Sequence, residues 1–169
     1  IAFYNSYYID MVVTVFMLLF GINFNLYYLL LLKDFKQIFK SEELRWYILI
    51  IAVFTGIITV NTLSIYGNVS ESFRYSIFQV ASIITTTGFA TTDFGMWPTL
   101  SQILLLLLMV VGACAGSTGG GIKTIRIVIM LKAIKREINK IVHPKRINSV
   151  KIDGRAVEEE IIHGVFLFI

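Results

Sequence analysis

Three long apolar runs constrain this chain more than any other feature of its sequence, and they cover residues 11–32, 46–65 and 100–131. A helix needs roughly 20 apolar residues to cross a hydrocarbon core about 30 Å thick. In the whole chain, 56% of the residues are apolar and 15% are charged, whereas soluble domains average about 45–50% and about 25%. The sequence therefore predicts an all-α membrane protein, and its single cysteine, Cys114, excludes an internal disulfide.

Most of the basic residues lie in two segments, residues 33–45 and residues 132–157, whereas residues 67–98 contain only Arg74. Lys and Arg accumulate on the cytoplasmic side of membrane proteins, so we expect both basic segments in the cytoplasm and residues 67–98 outside. The net charge of +4 is therefore interpreted as a sign of membrane orientation and not of nucleic-acid binding. Contact of the basic segments with anionic lipid headgroups is a plausible secondary effect.

A short helix is predicted over residues 70–84, with Ser70 as its N-cap. At about 1.5 Å per residue it would be about 22 Å long, which is too short to cross a bilayer. Because it lies between two apolar runs on the predicted outer side, we expect it to enter the membrane and return. Irregular backbone at membrane depth is tolerated only where protein buries it or water lines it.

The threonine segment, residues 85–90, follows this helix and reads Thr-Thr-Thr-Gly-Phe-Ala. The glycine, Gly88, allows a backbone twist that lets successive carbonyls face one axis, as in potassium filters. The C-terminal end of the preceding helix carries partial negative charge, which favours a cation. An ordinary outer turn rich in threonine is the alternative. Asp93 is expected either to concentrate cations at the mouth or to be a solvated turn residue.

The third apolar run has a glycine-rich segment, residues 116–123, in its middle. Each glycine costs about 1 kcal/mol in a helix interior relative to alanine, so a regular helix should break here. A small, flexible intramembrane loop is what a gate requires, whereas a kinked helix packed closely through its glycines is the structural alternative. The segment resembles a phosphate-binding loop only loosely, because Ile122 separates Gly121 from Lys123.

Three stretches together resemble the Trk/Ktr superfamily of potassium uptake proteins, most closely the membrane subunit of the Trk branch. They are Gly-Ile-Asn-Phe at residues 21–24, Ser-Ile-Ile-Thr-Thr-Thr-Gly-Phe at residues 82–89, and Ala-Gly-Ser-Thr-Gly-Gly-Gly-Ile-Lys at residues 115–123. The resemblance covers nearly the whole chain, and the last two stretches are specific in sequence, order and spacing.

The resemblance implies a helix–re-entrant pore loop–helix repeat like that of potassium channels, with four such repeats around one pore, and this chain as a part of the whole. The implied parts are a closing transmembrane helix of the preceding repeat (1–32), a cytoplasmic linker (33–45), a complete pore repeat (46–131), a basic cytoplasmic segment (132–157) and the start of the next repeat (158–169). Within the complete repeat they are a helix (46–66), a pore helix (70–84), a filter (85–90) and a broken helix (99–131).

The resemblance also implies a function, which is potassium translocation across the bacterial inner membrane by a multi-pass protein that is not an enzyme. Its implied potassium ligands are Thr86 and Thr87, with Gly88 and Phe89 completing the filter. The implied gating loop contains Gly116, Ser117, Thr118, Gly119, Gly120, Gly121 and Lys123. A homodimer, a cytoplasmic nucleotide-binding regulatory subunit and membrane lipid are the implied partners, and no cofactor is expected besides the transported K⁺.

Two other functions remain as alternatives. An ion-coupled secondary transporter, or symporter, also binds ions at broken helices near the midplane, and the sequence does not separate it from a channel. A membrane-embedded enzyme would have to use Asp93 and Lys123, and neither has a paired carboxylate or a histidine nearby in the sequence. Asn23 and Asn25 in the first apolar run are expected to form helix–helix hydrogen bonds or to line the pore.

Overall fold

The computed structural model describes residues 1–4, 6–142 and 149–168, and these residues are mostly helical. The α-helices are α1 (Tyr7–Phe20), α2 (Phe24–Leu31), α3 (Phe35–Lys40), α4 (Glu42–Tyr66), α5 (Val69–Ile84), α6 (Thr99–Val110), α7 (Thr124–Val142) and α8 (Glu159–Phe168). Short 3-10 helices cover Ala2–Tyr4 and Phe94–Met96, and a hairpin joins β1 (Lys151–Ile152) to β2 (Arg155–Ala156). The hairpin is a small departure from the all-α expectation.

The first apolar run was expected to be one continuous helix, and this is wrong. The structure divides it into α1 and α2, which meet at an angle of 92°. The break has a local cause, because the side chain of Asn23 accepts a hydrogen bond from the Asn25 N–H at 2.9 Å and so caps a new helix. Gly21 ends α1 at a point of close approach, where a Cβ would lie 2.1 Å from the Tyr47 hydroxyl oxygen.

Helix α4 is the longest helix of the described residues and has a mean hydropathy of 2.3 over its most apolar window. It begins at Glu42, earlier than the predicted residue 46, because the Ser41 hydroxyl caps it by accepting from the Leu44 N–H at 3.4 Å. It ends at Tyr66, where Gly67 takes the left-handed conformation with φ of 64°. By length and composition, α4 can cross a bilayer, and the bent α1–α2 pair is the second candidate within the described ranges.

Helix α5 packs between α4, α1 and α6. It begins one residue before the predicted start, and its N-cap is Asn68 and not Ser70, since the Asn68 side chain accepts from the Ser70 N–H at 3.0 Å. Its contact with α4 uses small polar side chains, among them Thr62 and Ser76, whose hydroxyl oxygens are 3.5 Å apart. A buried apolar cluster surrounds this contact and includes Tyr47, Ile58, Val80, Ile84, Leu105 and Leu108.

The third apolar run is a broken helix, as predicted, but its second half extends beyond the predicted end at residue 131. Helix α6 ends at Val110 and α7 begins at Thr124, so the irregular connection, which we call the α6–α7 loop, covers residues 111–123. Helix α7 then continues through residue 131 into the predicted basic segment, because its amphipathic sequence keeps a helical period. Two basic residues of that segment, Lys145 and Arg146, lie outside the described residues.

The β-hairpin contacts the start of α4, and α8 packs against α7. The hairpin turns at Asp153 and Gly154, whose φ angles of 51° and 83° suit a two-residue turn. The Asp153 carboxylate accepts from the backbone N–H of Glu42 at 2.7 Å, which fixes the hairpin to the start of α4. Helix α8 contacts α7 through a second apolar cluster, made of Ile129, Ala133, Val150, Ile162 and Val165.

Candidate functional site

The threonine segment folds back onto the last turn of α5. The N–H groups of Thr87 and Gly88 donate to the carbonyl of Ser82 at 2.9 and 3.4 Å, and the Ser82 hydroxyl donates to the carbonyl of Phe89 at 2.6 Å. Ser82 therefore bonds three successive residues of the segment, Thr87 to Phe89. Sequence reasoning included Ser82 only as the first residue of the family motif at residues 82–89 and gave it no role of its own.

Two residues of the segment have positive φ angles, Thr86 at 56° and Gly88 at 79°. Glycine adopts this conformation without penalty, whereas a β-branched residue does so rarely and at a cost of about 1–3 kcal/mol. The Thr86 hydroxyl stabilises the turn by donating to the Thr85 carbonyl at 2.7 Å. Residues 86–90 are exposed on the surface of this chain, while Thr85 is buried.

The α6–α7 loop is closed at its base by its own backbone. The Gly112 N–H donates to the Ile122 carbonyl at 2.7 Å, and the Ile122 N–H donates to the Val110 carbonyl at 3.2 Å. The hydroxyl of Thr124, the first residue of α7, donates to the Gly112 carbonyl at 2.8 Å. Position 112 requires glycine, since a Cβ there would lie 2.1 Å from the Gly120 carbonyl oxygen.

The α6–α7 loop contacts the threonine segment directly. The backbone N–H of Gly120 donates to the Thr86 hydroxyl oxygen at 2.8 Å. A Cβ at Gly119 would lie 3.5 Å from the Thr85 carbonyl oxygen and 2.7 Å from the Cβ of Ala113, so the loop backbone passes close beneath the segment. The structure thus brings together the two stretches that the sequence singled out independently, although they lie about thirty residues apart in the chain.

The break between α1 and α2 holds the other side of the loop. The Cys114 N–H donates to the Gly21 carbonyl at 3.0 Å, and the Gly116 carbonyl accepts from the Phe24 N–H at 3.1 Å. The N–H of Thr118 also donates to the Phe20 carbonyl at 3.3 Å. The helix break therefore has a structural use, because it frees backbone groups that a continuous helix would have paired internally.

Helix α4 supplies a contact from an acidic side chain that sequence reasoning did not find. The Glu43 carboxylate accepts a hydrogen bond from the Ala115 N–H at 2.6 Å, and the Glu43 side chain is buried. The sequence interpretation placed Glu43 in the cytoplasmic linker over residues 33–45 and gave it no role. Its spatial relation to Ala115 has no signal in the sequence.

Lys123 and Asp93 take local roles. The Lys123 ammonium donates to the Gly119 carbonyl inside the same loop, and α7 begins only after it, so the geometry is unlike that of a phosphate-binding loop. The Asp93 carboxylate accepts from the Gly95 N–H at 2.9 Å and caps the short helix Phe94–Met96. Of the two expectations for Asp93, this contact supports a turn residue and not a residue that concentrates cations at the pore mouth.

The other candidate residues, Ser117 and Gly121, lie in the α6–α7 loop. The Ser117 hydroxyl donates to the Cys114 carbonyl at 2.5 Å.

Comparison with known proteins identifies the family of this chain. The TrkH family model, described as a cation transport protein, matches residues 1–169. The chain belongs to the TrkH family. This confirms the resemblance on which the sequence interpretation relied.

Individual relatives of this TrkH-family chain carry names that refer to potassium. The Trk system potassium uptake protein TrkG of Escherichia coli K12 is 35% identical over 99% of this chain. The protein TrkH of Salmonella typhimurium is 34% identical over 99% of the chain. The crystal structure of the potassium transporter TrkH from Vibrio parahaemolyticus superposes with a TM-score of 0.92 at 33% identity, covering 99% of this chain and 37% of that one. The chain spans 35% of the length of TrkG and of the Salmonella TrkH.

Proposed function

We propose that this chain is part of a potassium-translocating membrane subunit, in which the threonine segment is one quarter of a selectivity filter. The observation that carries the proposal is the pairing of an exposed, left-handed threonine–glycine backbone with a glycine-rich loop directly beneath it, 2.8 Å from Thr86 to Gly120. The relatives named as potassium uptake proteins and their transporter structure support the ion. In this proposal α5 is a pore helix that enters the membrane and returns.

The filter proposal rests on oxygen chemistry. Filters replace the hydration shell of K⁺ with rings of backbone carbonyls, and the exposed backbone of residues 86–90 is available to face three equivalent segments in a complete pore. We propose Thr86 and Thr87 as the potassium ligands, with Gly88 and Phe89 above them. The α5 helix ends at Ile84, so the negative end of its dipole faces the same ion.

We further propose that the α6–α7 loop is the gate of this pore. Four glycines remove side-chain bulk from residues 116–121, so a small displacement of the loop can open the path. In the present conformation the loop is bonded to the threonine segment, to the α1–α2 break and to α4. This arrangement supports an occluded state, because each of those contacts holds the loop under the proposed filter.

The filter assignment is tested by rubidium uptake in cells that lack their own potassium uptake systems and express the full-length protein. Gly88→Arg should abolish uptake, since it places a cation and a large side chain at the ion path. Gly67→Arg is the matched control. Gly67 also has a positive φ, 64° against 79° for Gly88, and neither position has an atom within 4 Å of an added Cβ. Gly67 lies just before the start of α5, at the opposite end of this helix from the threonine segment, so its variant should retain uptake. Wild-type uptake by Gly88→Arg would reject the filter.

The gate assignment is tested by comparing Thr86→Val with Thr87→Val. Only the Thr86 hydroxyl bonds the loop, whereas the Thr87 hydroxyl oxygen is 2.8 Å from that of Thr85 inside the segment. Thr86→Val should therefore raise resting flux above that of Thr87→Val, by up to about tenfold for one hydrogen bond. Deleting residues 116–121 should raise open probability further. Unchanged open probability after the deletion would leave only a packing role for the loop.

Current measurements on the same protein separate the channel from the symporter. A channel gives currents that reverse at the K⁺ equilibrium potential, whereas a coupled carrier depends on a second ion. The symporter remains the second candidate because the α1–α2 break, with its 92° bend, is of the kind that binds ions in carriers.

The same proposal covers the membrane in which the protein lies and the partners that it binds. We propose a multi-pass protein of the bacterial inner membrane that forms a homodimer and binds a cytoplasmic nucleotide-binding regulatory subunit. The basic residues of α7 and the hairpin would face that subunit or lipid headgroups, because they lie on the side that the positive-inside rule assigns to the cytoplasm. Light scattering of the purified protein and co-purification with the regulatory subunit test these partners.

A further inference from the structure

We propose that Glu43 is a positioning residue that latches the α6–α7 loop in its occluding conformation. Glu43 is 7% exposed, and its carboxylate accepts the Ala115 N–H at 2.6 Å. Burying a carboxylate is unfavourable unless hydrogen bonds compensate it, so this bond is expected to be strongly maintained. The proposal rests on the proposed gating function of the loop and adds the residue that sets the loop position.

The bond to Glu43 differs from the other contacts that tie the loop to its neighbours. Those contacts join neutral groups over 2.8 Å at Gly120, 3.0 Å at Cys114 and 3.3 Å at Thr118. The Glu43 bond is shorter than each of these, and its acceptor is an ionisable carboxylate. Loss of Glu43 would leave the Ala115 N–H without this acceptor. A desolvated donor without a hydrogen-bond partner is costly, so loss of Glu43 should release the loop.

The same turn of α4 also contacts the hairpin. Glu42 donates its N–H to Asp153 at 2.7 Å, and its carboxylate pairs with the Lys132 ammonium. A polar cleft of about 640 Å³ lies beside this turn and is lined by Asn23, Glu43 and Asp153 among others. Two adjacent acids thus face two different elements, which makes Glu42 a control that shares the helix turn but not the loop contact.

The test measures the reaction of Cys114 with a thiol reagent in inside-out vesicles that contain the full-length protein with its other cysteines replaced. Cys114 is 0% exposed and is the neighbour of Ala115 in the loop. Release of the loop should expose its thiol, so Glu43→Ala should label about 5- to 150-fold faster than the parent protein, the range expected when a desolvated N–H loses its acceptor. Glu42→Ala should label at the parent rate.

Two conservative variants test the role of the acceptor. Glu43→Gln keeps an amide oxygen that can accept the Ala115 N–H, so its labelling rate should lie nearer the parent than that of Glu43→Ala. Glu43→Asp keeps the charge but is one methylene shorter, so it should label faster than the parent and provides the measurement if the alanine variant does not accumulate in the membrane. Parent-like labelling of both Glu43→Ala and Glu43→Asp would overturn the latch, as would equal labelling of the glutamine and alanine variants.

Rubidium flux in the same variants separates this inference from the proposed gate. Faster labelling of Glu43→Ala together with higher resting flux supports both the latch and the gate. Faster labelling with unchanged flux supports the latch and refutes the gate. Parent-like labelling of both Glu43→Ala and Glu43→Asp refutes the latch whatever the flux, because the loop has then kept its position without the Glu43 contact.

Discussion

Replacing Asp10 by alanine should destabilise the packing of α1 against α5 by about 3 kcal/mol, on the scale known for breaking buried ion pairs. The Asp10 carboxylate contacts Arg74 at 2.6 Å through Nη2 and at 2.7 Å through Nε. The side chains of Asp10 and Arg74 are 3% and 11% exposed. Arg74 was noticed in the sequence only as the lone basic residue of the expected outer segment. Its pairing with Asp10 explains how a cation is accommodated there.

The size of this loss of stability depends on Arg74, which the Asp10→Ala variant leaves buried without its partner. Removing one partner of a buried pair costs about 3–5 kcal/mol, because the remaining charge stays buried without compensation. Two aromatic rings reduce this cost, since the guanidinium lies 5.6 Å from the ring centre of Tyr7 and 5.2 Å from that of Tyr75. Such contacts contribute about 0.5–1 kcal/mol at exposed sites and more when desolvated, which places the expected loss at the lower end of the range.

The assay is reversible unfolding of the full-length protein in mixed detergent micelles. Asp10→Ala should lower the free energy of unfolding by about 3 kcal/mol, whereas the double variant Asp10→Ala with Arg74→Met should recover most of the loss, because no charge then remains unpaired. Glu71→Ala is the matched control, since Glu71 is an exposed acid in the first turn of the same α5 and should change stability by less than about 0.5 kcal/mol. A loss below about 1 kcal/mol for Asp10→Ala, or a double variant as unstable as the single one, would refute the reasoning.

Two further predictions concern the loop base and the α7–α8 contact. Gly112→Ala should lower the melting temperature and speed thiol labelling of the loop, because the new Cβ would lie 2.1 Å from the Gly120 carbonyl oxygen, whereas Gly56→Ala, with nothing within 4 Å, should be neutral or stabilising. The Arg136 guanidinium lowers the pKa of Glu159, mainly through a hydrogen bond between the two side chains. The Glu159 contact should therefore stabilise the fold above the ordinary carboxyl pKa and be lost as the pH falls through the lowered value. Arg136→Met should remove that part of the pH dependence of unfolding; an unchanged dependence would contradict it.

Composition and local patterning were enough to predict most of the helices and the two stretches that meet at the candidate site. Apolar runs predict membrane helices because the bilayer demands internally paired backbone. A glycine-rich stretch predicts a helix break, and the structure has one over residues 111–123. The end of α4 before Gly67 and the end of α5 at Ile84 are likewise local events, set by backbone conformation and by the change from apolar residues to threonines. The family could be recognised from motifs alone, since their residues are adjacent in the chain.

The tertiary structure decided which groups meet. Nothing in the sequence relates Glu43 to Ala115, Asp10 to Arg74 or Ser82 to Phe89, because each contact depends on how separate elements pack. The 92° bend between α1 and α2 was also missed, since two asparagines in an apolar run are as compatible with a continuous helix as with a cap. Hydrophobic patterning records how each residue partitions between lipid, protein and water, and this is a property of the single side chain. Hydrogen bonds and ion pairs between distant residues depend on distance and direction, which exist only once the chain is folded.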